Sequence, residues 1–519
     1  MKTGDYRRDY AAYTAALERA RYDYHAGVEP ELRLAPLRDR YADLWTRPAI
    51  DDLSRALKDT SGQFETERVA LATLLIAAQL GYVESRAVDV TDELARCKAS
   101  ARVEWQGARL APDDAPHAIA AETDPARRRE LAARWFDALD ECSDLRAARF
   151  DALSESARTI GCDSYFNLLS GITEADAESL SAGADDFLAR TGAVYGAKLF
   201  EWSARHLPEA LARAPVYADS LFLARLAHLD PFFAASELRP TYEATLGGLG
   251  IRAGRQSNVR IETTAAEPAR ARLPACLALR PPEDVRLVYR AEGGASYYRK
   301  FFEAAGRTQH FAWVSRDLNA RYPELVHAPV ETTRAAFAFL FGDLLTDAPW
   351  LAAQRNVRPA EAGEIARSFA FVELQQTRRA CVRLRQQRAL EGATQTRSEH
   401  LAGTYATALE EALGIRAHPA LFLRDLVPAG AHDPRGDEAT HLPPAVYLRA
   451  RLFAAALGEY FRTRHGHRWW TSNKAADELI DVWNTGSRYT VEELAALLGL
   501  GALNFDLLAD SFNSTLSRE

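Results

Sequence analysis

Apolar residues recur at steps of three and four along most of the chain, the spacing that places side chains on one face of a helix. Residue types that favour helices, mainly Ala, Leu, Arg and Glu, dominate these stretches. Asp124 and Pro125 mark one helix start, because Asp is a favoured N-cap and Pro fits the first helical position. The pattern predicts helices over residues 5–26, 67–105, 125–160, 175–206, 216–228, 297–314, 329–346, 360–391, 398–413, 444–464 and 473–485.

The pattern changes between residues 245 and 292. A glycine-rich run, LGGLGIRAGRQSN, precedes three short β-like runs at 259–263, 276–279 and 285–289, and prolines separate them. This part of the chain predicts a small sheet over about residues 257–290, inserted in a helical protein and directly before the helix at 297–314.

Composition narrows the classes of function. The chain has 519 residues, enough for two or more domains or one large helical body, and 47% of them are hydrophobic. The net charge of −8 gives no electrostatic reason to expect a nucleic acid or an anionic membrane as partner. The chain contains no apolar stretch of membrane-spanning length, and its first residues are charged, unlike a signal peptide.

The cysteines predict a reducing environment. Five of them, Cys97, Cys142, Cys162, Cys276 and Cys381, lie far apart, their number is odd, and no CxxC pair occurs. We therefore expect free thiols and a cytoplasmic location.

Residues 301–312 read FFEAAGRTQHFA. This stretch resembles the active-site helix of zinc peptidases in the oligoendopeptidase F and thimet oligopeptidase family, which reads F-H-E-A-G-H-x-x-H-F-A. The positions of the two zinc-binding histidines hold Glu303 and Arg307, and the position of the general-base glutamate holds Ala304. The frame of the motif is kept by Phe302, Ala305, Gly306, His310, Phe311 and Ala312.

Other blocks support the resemblance over roughly residues 120–515. Residues 254–262 (GRQSNVRIE) resemble the family's G-N-I-x-x-D segment, and the pair Gly293-Gly294 resembles the one before its active-site helix. Residues 330–341 (VETTRAAFAFLF) resemble V-T-E-G-x-A-x-L-F, which places Ala335 at the third zinc ligand, or Glu331 if the alignment slips by one helical turn. Residues 445–452 (AVYLRARL) resemble S-A-R-Y-L-R-A-W.

The resemblance implies a zincin-like fold: a mainly α, bundle-like helical body with a deep channel and a small antiparallel sheet beside the former active-site helix. We expect a helical N-terminal region over residues 1–180 and a peptidase-like domain over 181–519. In the family, two histidines one turn apart hold zinc and the neighbouring glutamate takes a proton from the bound water. With these residues replaced, we expect no zinc cofactor and no peptide hydrolysis.

The residues left in the motif allow several functions. Glu303 and Arg307 have the spacing of a helical ion pair, which could fill a lost site or act on a ligand. Tyr447 joins them as a catalytic candidate, and His310, Arg449 and His441 are candidates for ligand binding; His441 flanks a long polar loop at 425–443.

Three hypotheses remain open. The chain could be a pseudopeptidase that binds a peptide or peptide-like molecule without hydrolysing it. It could be a metal-free enzyme of specialised metabolism that uses Glu303, Arg307 and Tyr447 in the old cleft. It could also be a zinc peptidase with relocated ligands, namely Glu303, His310 and either His327 or Glu331. Neither the ligand nor the oligomeric state follows from the sequence.

Overall fold

The computed structural model describes residues 2–207, 214–264, 273–427 and 442–517. Helices dominate these ranges, which confirms the predicted fold class. In chain order they are α1 Thr3–His25, α2 Ala35–Arg40, α3 Arg47–Asp59, α4 Glu65–Arg86, α5 Val88–Ser100, α6 Ala115–Ala121, α7 Pro125–Asp140, α8 Ser143–Thr159, α9 Tyr165–Ser170, α10 Glu174–His206, α11 Tyr217–Ala224, α12 Leu238–Gly248, α13 Ala295–Trp313, α14 Arg316–Arg321, α15 Thr332–Gly342, α16 Ala348–Gln354, α17 Pro359–Glu391, α18 Glu399–Leu413, α19 Leu421–Leu426, α20 Pro444–His465, α21 Asn473–Asn484, α22 Val491–Leu497 and α23 Phe505–Ser517. The strands are β1 Val103–Trp105, β2 Ala108–Leu110, β3 Val259–Thr264, β4 Ala275–Arg280 and β5 Asp284–Arg290.

Two compact units are each assembled from three separate segments. The first unit comprises Met1–Tyr82, Leu229–Ala366 and Arg449–Asn504, and the second comprises Val83–His228, Arg367–Leu448 and Phe505–Glu519. The sequence-based division at residue 180 stays a prediction, as does the deep channel. Among the described residues, no individual helix combines the length and apolarity needed to cross a membrane; one bent pair, Thr332–Thr346 followed by Ala348–Gln354 at 75°, meets both criteria jointly.

The small sheet lies in the first unit and packs against α13. Its strands occupy the part of the sequence where the sheet was predicted. Its strand order is β3-β5-β4, with β4 and β5 antiparallel and β3 and β5 parallel. The predicted small antiparallel sheet is present as the β4–β5 pair, and β3 extends it in the parallel direction. The strands alternate in direction along the chain, but β5 lies between the other two and so has one neighbour of each kind. Helix α1 covers the sheet at β4, where the Glu18 carboxylate accepts a hydrogen bond from the Ala278 amide at 2.8 Å.

Two of the predicted long helices are broken. The stretch 67–105 becomes α4, α5 and the start of a hairpin, in which Gln106 (φ 51°) and Gly107 (φ 79°) form the turn between β1 and β2. Two consecutive residues in the left-handed backbone conformation form a tight hairpin turn. The spacing of apolar residues does not reveal such a turn. The stretch 125–160 divides into α7 and α8, with Cys142 as the N-cap of α8.

Cys142 forms a disulfide with Cys97 of α5, with 6.0 Å between their Cα atoms. The prediction of five free thiols is therefore wrong for these two residues, whereas Cys162, Cys276 and Cys381 are not in disulfide bonds. The prediction relied on the distance between the cysteines along the sequence. In the fold, α5 packs against α8 and brings the two cysteines together.

Candidate functional site

A double glycine joins β5 to α13. A Cβ on Gly293 would lie 2.7 Å from the Phe233 carbonyl oxygen, and Gly294 has φ 102°, a conformation that favours glycine. The Gly294 amide donates to the Phe233 carbonyl at 2.8 Å, and the amide of Ala295 donates to the Asp230 carboxylate at 3.2 Å. These contacts fix the point where the helix begins, so the two glycines position everything that α13 carries.

Helix α13 is buried along most of its length and packs directly on α15. The closest approach is at Gly306, where a Cβ would lie 2.2 Å from the Phe337 carbonyl oxygen and 3.1 Å from the Ala338 Cα. Only glycine fits such a contact between two backbones. This position is the glycine of the peptidase-like motif, so the motif's packing residue is kept where its ligand residues are not.

Glu303 lies in an ion cluster in the middle of α13, beside the C-terminal end of α15. Its residue exposure is 5%, and its carboxylate accepts from Arg299 Nε at 2.9 Å and from Lys300 Nζ at 3.0 Å. Arg299 Nη2 also lies 3.8 Å from Asp343, whose carboxylate accepts from Arg451 Nη1 at 2.8 Å. Glu303 is thus held by basic residues of the preceding helical turn. A direct contact between Glu303 and Arg307 stays a prediction.

Arg307 is also buried and acts electrostatically on Glu331, the residue before α15. Desolvation opposes the charge of the Glu331 carboxylate, but Arg334, Arg307 and Arg21 outweigh it and lower its pKa to about 2. The Glu331 carboxylate lies 3.2 Å from Arg334 Nη2. At neutral pH Glu331 is therefore ionised and belongs to a group of arginines.

His310 lies one turn beyond Arg307 and is 1% exposed. Its ring centroid is 4.9 Å from that of Phe337 and 5.8 Å from that of Phe311. Burial, with a smaller contribution from Arg334, lowers the His310 pKa to about 3, so the imidazole is neutral at physiological pH. The retained histidine of the motif therefore sits among aromatic side chains as a core residue.

The other candidate residues lie apart from this helix pair in the chain. Arg449 Nε and Nη2 each donate to one carboxylate oxygen of Glu492 at 2.7 Å, so the guanidinium is engaged in a bidentate pair. Tyr447 is 2% exposed and belongs to the second unit, whereas Glu303 and Arg307 belong to the first. His441 lies outside the described residues.

The residues at the zinc-ligand positions do not fit a zinc ion. Two cationic side chains already hold Glu303, the Arg307 guanidinium keeps its positive charge, and Ala335 is fully buried without a donor atom. Ala304, at the general-base position, likewise offers no proton acceptor. Within the described ranges, no group of three or more His, Cys, Asp or Glu side chains is placed to hold a metal ion.

Part of the ion cluster was missed in the sequence. Arg299 and Lys300 stand four and three residues before Glu303, so helical spacing could have identified both as partners. Asp343 and Arg451 are distant along the chain and adjoin Arg299 only through the packing of α15 and α20, a contact that no local pattern encodes.

The fold resembles that of solved peptidases. No protein-family model and no curated protein sequence matches the chain. The structure of PZ peptidase A with inhibitor 2 superposes with a TM-score of 0.66 at 11% identity, over 93% of this chain and 86% of that one. The M32 carboxypeptidase from Deinococcus radiodurans R1 gives 0.59 at 12% identity, over 99% and 98%. Trypanosoma cruzi metallocarboxypeptidase 1 gives 0.61 at 14% identity, over 99% of each chain.

Identities this low establish the architecture alone. The chain has the zincin-like fold of the M32 carboxypeptidases and oligoendopeptidase F-like peptidases.

Proposed function

We propose that this chain is a catalytically degenerate relative of oligoendopeptidase-type zinc peptidases, which binds a peptide or peptide-like ligand without hydrolysing it. One observation carries the proposal. The close packing of α13 on α15 through Gly306 is kept, while Ala304 stands at the general-base position and Glu303 is engaged by Arg299 and Lys300. Hydrolysis by this fold needs a metal-activated water and a base to accept its proton. The residues at these positions supply neither.

Binding without hydrolysis is consistent with what a protein of similar fold does and with the chemistry of catalysis. The fold relatives include a structure described as PZ peptidase A with inhibitor 2, so a related scaffold holds an inhibitor. Loss of the catalytic residues does not by itself remove the surfaces that hold a peptide, because binding and bond cleavage draw on different interactions. A retained cleft would then serve recognition or sequestration of an unstructured peptide.

A quenched fluorogenic peptide without stable structure tests both halves of the proposal. Fluorescence anisotropy should show saturable binding, while the fluorescence released on cleavage should stay at the level of the buffer. Hydrolysis that disappears in Glu303→Ala but persists in Glu459→Ala, which alters an exposed glutamate, would contradict the proposal. Failure to bind any such peptide would remove the binding role.

Zinc content tests the degenerate site separately. Elemental analysis of chelator-free wild-type protein should find no stoichiometric zinc. The double variant E303H/R307H puts two imidazoles one helical turn apart, and it should take up zinc if α13 keeps the geometry of the motif.

The third ligand can be located in the same experiment. Zinc uptake that E331A abolishes in the double variant would assign that ligand to Glu331, whereas uptake that requires A335E would assign it to position 335. One tightly bound zinc per wild-type chain, lost on mutating His310 or Glu331, would instead favour relocated ligands.

A further inference from the structure

An open groove of about 530 Å³ lies between α17 and α18 in the second unit. Its α18 wall is one face of that helix, because the side chains that line it stand three or four residues apart. They are His400, Thr404, Thr407 and Glu411. On the side of α17 the groove is lined by Arg385 and Gln386. Since a water molecule takes up about 30 Å³, the groove has room for a ligand of many atoms, and polar side chains border it on both sides.

Gly403 keeps the groove open on α18. A Cβ on Gly403 would meet no atom of the described residues within 4 Å, so a larger side chain there would extend into the groove. Glycine is unfavourable inside a helix, and no close contact requires it at this position. What the absent side chain of Gly403 provides is space.

Two groups of opposite charge border the groove at different heights. The helices α17 and α18 are antiparallel, because residues 392–398 reverse the chain between them and Arg378 Nε donates to the Ala412 carbonyl at 2.8 Å. Seven residues along α17, from 378 to 385, correspond to seven residues back along α18, from 412 to 405, so Arg385 stands level with residue 405. Glu411 is six residues from that level, which is about 9 Å along the helix axis.

The Arg385 guanidinium has donors to offer a ligand. Arg385 Nη1 lies 3.8 Å from Asp185 Oδ1, and the two side chains are 46% and 59% exposed, so this ion pair is weak. A guanidinium carries five N–H donors and can bind a carboxylate through two parallel hydrogen bonds. His400, beyond Arg385 on the side away from Glu411, adds an imidazole N–H. This end of the groove therefore suits a carboxylate, and the Glu411 end suits an ammonium group.

Hydrogen-bond acceptors line the middle of the groove. Thr404 Oγ1 donates its proton to the His400 carbonyl at 2.9 Å, which leaves the lone pairs of the hydroxyl oxygen to accept from a ligand. Thr407 places a second hydroxyl one turn nearer Glu411. Gln386 is 5% exposed, and within the described ranges its Oε1 has no hydrogen-bond partner, so a turn of its amide would present a further acceptor. A ligand with N–H groups along its length fits this lining.

We propose that the groove between α17 and α18 binds a peptide of about three residues whose two termini are both free. Its carboxylate binds Arg385 and His400, and its ammonium group binds Glu411. An extended tripeptide is about 10 Å long, close to the axial separation of Arg385 and Glu411, whereas a single amino acid is too short to join them. The site shares no residue with α13 or α15 and does not rest on the proposed function.

Isothermal titration calorimetry of the full chain with tri-alanine tests the site. Two blocked forms are the comparison, because acetylated tri-alanine lacks the ammonium group and tri-alanine amide lacks the carboxylate. We expect saturable binding of tri-alanine, and binding of each blocked form weaker by about fivefold or more, since each loses one ion pair. Equal affinity for the free and blocked forms, or no binding of tri-alanine, would overturn the proposal.

Two glycine variants place the binding in the groove. Gly403→Leu fills the space beside Thr404 and Thr407 and should abolish the binding of tri-alanine. Gly192→Leu in α10 is the matched control, because a Cβ there also meets nothing within 4 Å, and this variant should bind as the wild type does. Tri-alanine that binds Gly403→Leu with the wild-type affinity occupies another site, and the proposal would be wrong.

Charge variants assign the two ends of the peptide. Arg385→Gln should weaken the binding of tri-alanine by about fivefold but leave the affinity for tri-alanine amide unchanged, because the amide has no carboxylate to lose. Glu411→Gln should do the same for tri-alanine and acetylated tri-alanine. Arg388→Gln and Glu410→Gln, on the same two helices but outside the lining of the groove, are the controls and should keep the wild-type affinity. Equal effects of the lining and control variants would exclude the assigned contacts.

Crystallography tests the site without any variant. Crystals of the wild-type chain soaked in tri-alanine should show the peptide between Arg385 and Glu411, with its carboxylate towards Arg385. A groove that stays empty in the soaked crystal, or a peptide bound in the opposite direction, would contradict the proposal.

Discussion

At the scale of single residues, Glu303 shows what helical spacing can and cannot predict about an ion pair. Residues three and four positions away on either side are all within reach of its carboxylate. The sequence drew attention to Arg307, one turn ahead, and the structure adds Arg299 and Lys300, one turn behind, as partners of the carboxylate. The spacing defines which partners are possible, and the described contacts identify two of them.

A double-mutant cycle measures which partner matters. Arg299→Met and Glu303→Gln, singly and together, should give a coupling free energy of about 1–3 kcal/mol, because removing one partner leaves the other buried. The same cycle with Arg307→Met tests the contact that remains a prediction. The exposed pair Glu459 and Arg462 is the control, and its coupling should stay below about 1 kcal/mol. Denaturant unfolding provides the free energies, and equal coupling in the buried and exposed pairs would refute the assignment.

Glu324 predicts a dependence of stability on pH. Burial raises its pKa to about 7, although Arg7 Nε lies 2.7 Å from its carboxylate and opposes the shift. Because its pKa is higher in the folded state than in the unfolded state, Glu324 keeps its proton to a higher pH when the chain is folded. The free energy of unfolding therefore falls as pH rises from the unfolded value, 4.5, to about 7.

Glu324→Gln should remove this fall, because the amide stays neutral. We expect the stability of the variant relative to wild type to improve by about 1–3 kcal/mol between about pH 5 and pH 8, as measured by urea unfolding. Glu459→Gln, at an exposed site, should follow the wild-type profile. A constant difference between E324Q and the wild type at all pH values would contradict the assigned cause.

At the scale of elements, the α13–α15 contact is the most demanding feature of the site. Gly306→Ala would place a methyl group 2.2 Å from the Phe337 carbonyl oxygen, and neither backbone can move without disturbing the helix pair. We expect a loss of about 2–4 kcal/mol in the free energy of unfolding.

The matched control for Gly306→Ala is Gly196→Ala in α10. A Cβ there meets nothing within 4 Å, and the position is helical. This change should stabilise the chain by about 0.5–1 kcal/mol, through helix propensity alone. Denaturant unfolding measures both variants, and similar effects at the two glycines would show that the close approach is not required.

Elements were predictable where the pattern is local. The three strands of the small sheet and α13 lie within two residues of their predicted positions. Alternating apolar residues, the prolines between the strands and the double glycine are local sequence features, so these positions could be predicted. The β1–β2 hairpin was missed because its turn, at Gln106-Gly107, interrupts an otherwise helical composition. The break between α7 and α8 was missed as well. Strand order was also beyond reach, because the central position of β5 depends on pairing between distant segments.

At the scale of the whole molecule, the architecture persists while nearly all side chains differ. The superposed peptidases share 11–14% of their residues with this chain over most of its length. The motif frame around Gly306 made the fold predictable, because backbone contacts of this kind tolerate only glycine. Asp343 and Arg451, the more distant members of the ion cluster at Glu303, were not predictable, because they come from separate elements.

The disulfide bears on the conditions in which the whole chain is stable. Cys97 and Cys142 close a loop of 45 residues, which by loop entropy contributes about 3–4 kcal/mol to the free energy of unfolding. This bond contradicts the expectation of free thiols on which the reducing location was based. Chain purified without reductant and then denatured should expose three titratable thiols, those of Cys162, Cys276 and Cys381.

The same bond predicts a response to reductant. A reducing agent should lower Tm in the wild type but not in the double variant C97A/C142A, which should already unfold at the lower temperature. C162A, which alters a free cysteine, should respond to reductant as the wild type does. Five titratable thiols in unreduced protein, with Tm unchanged by reductant, would restore the original expectation, because the two cysteines would then lie close together without forming a bond.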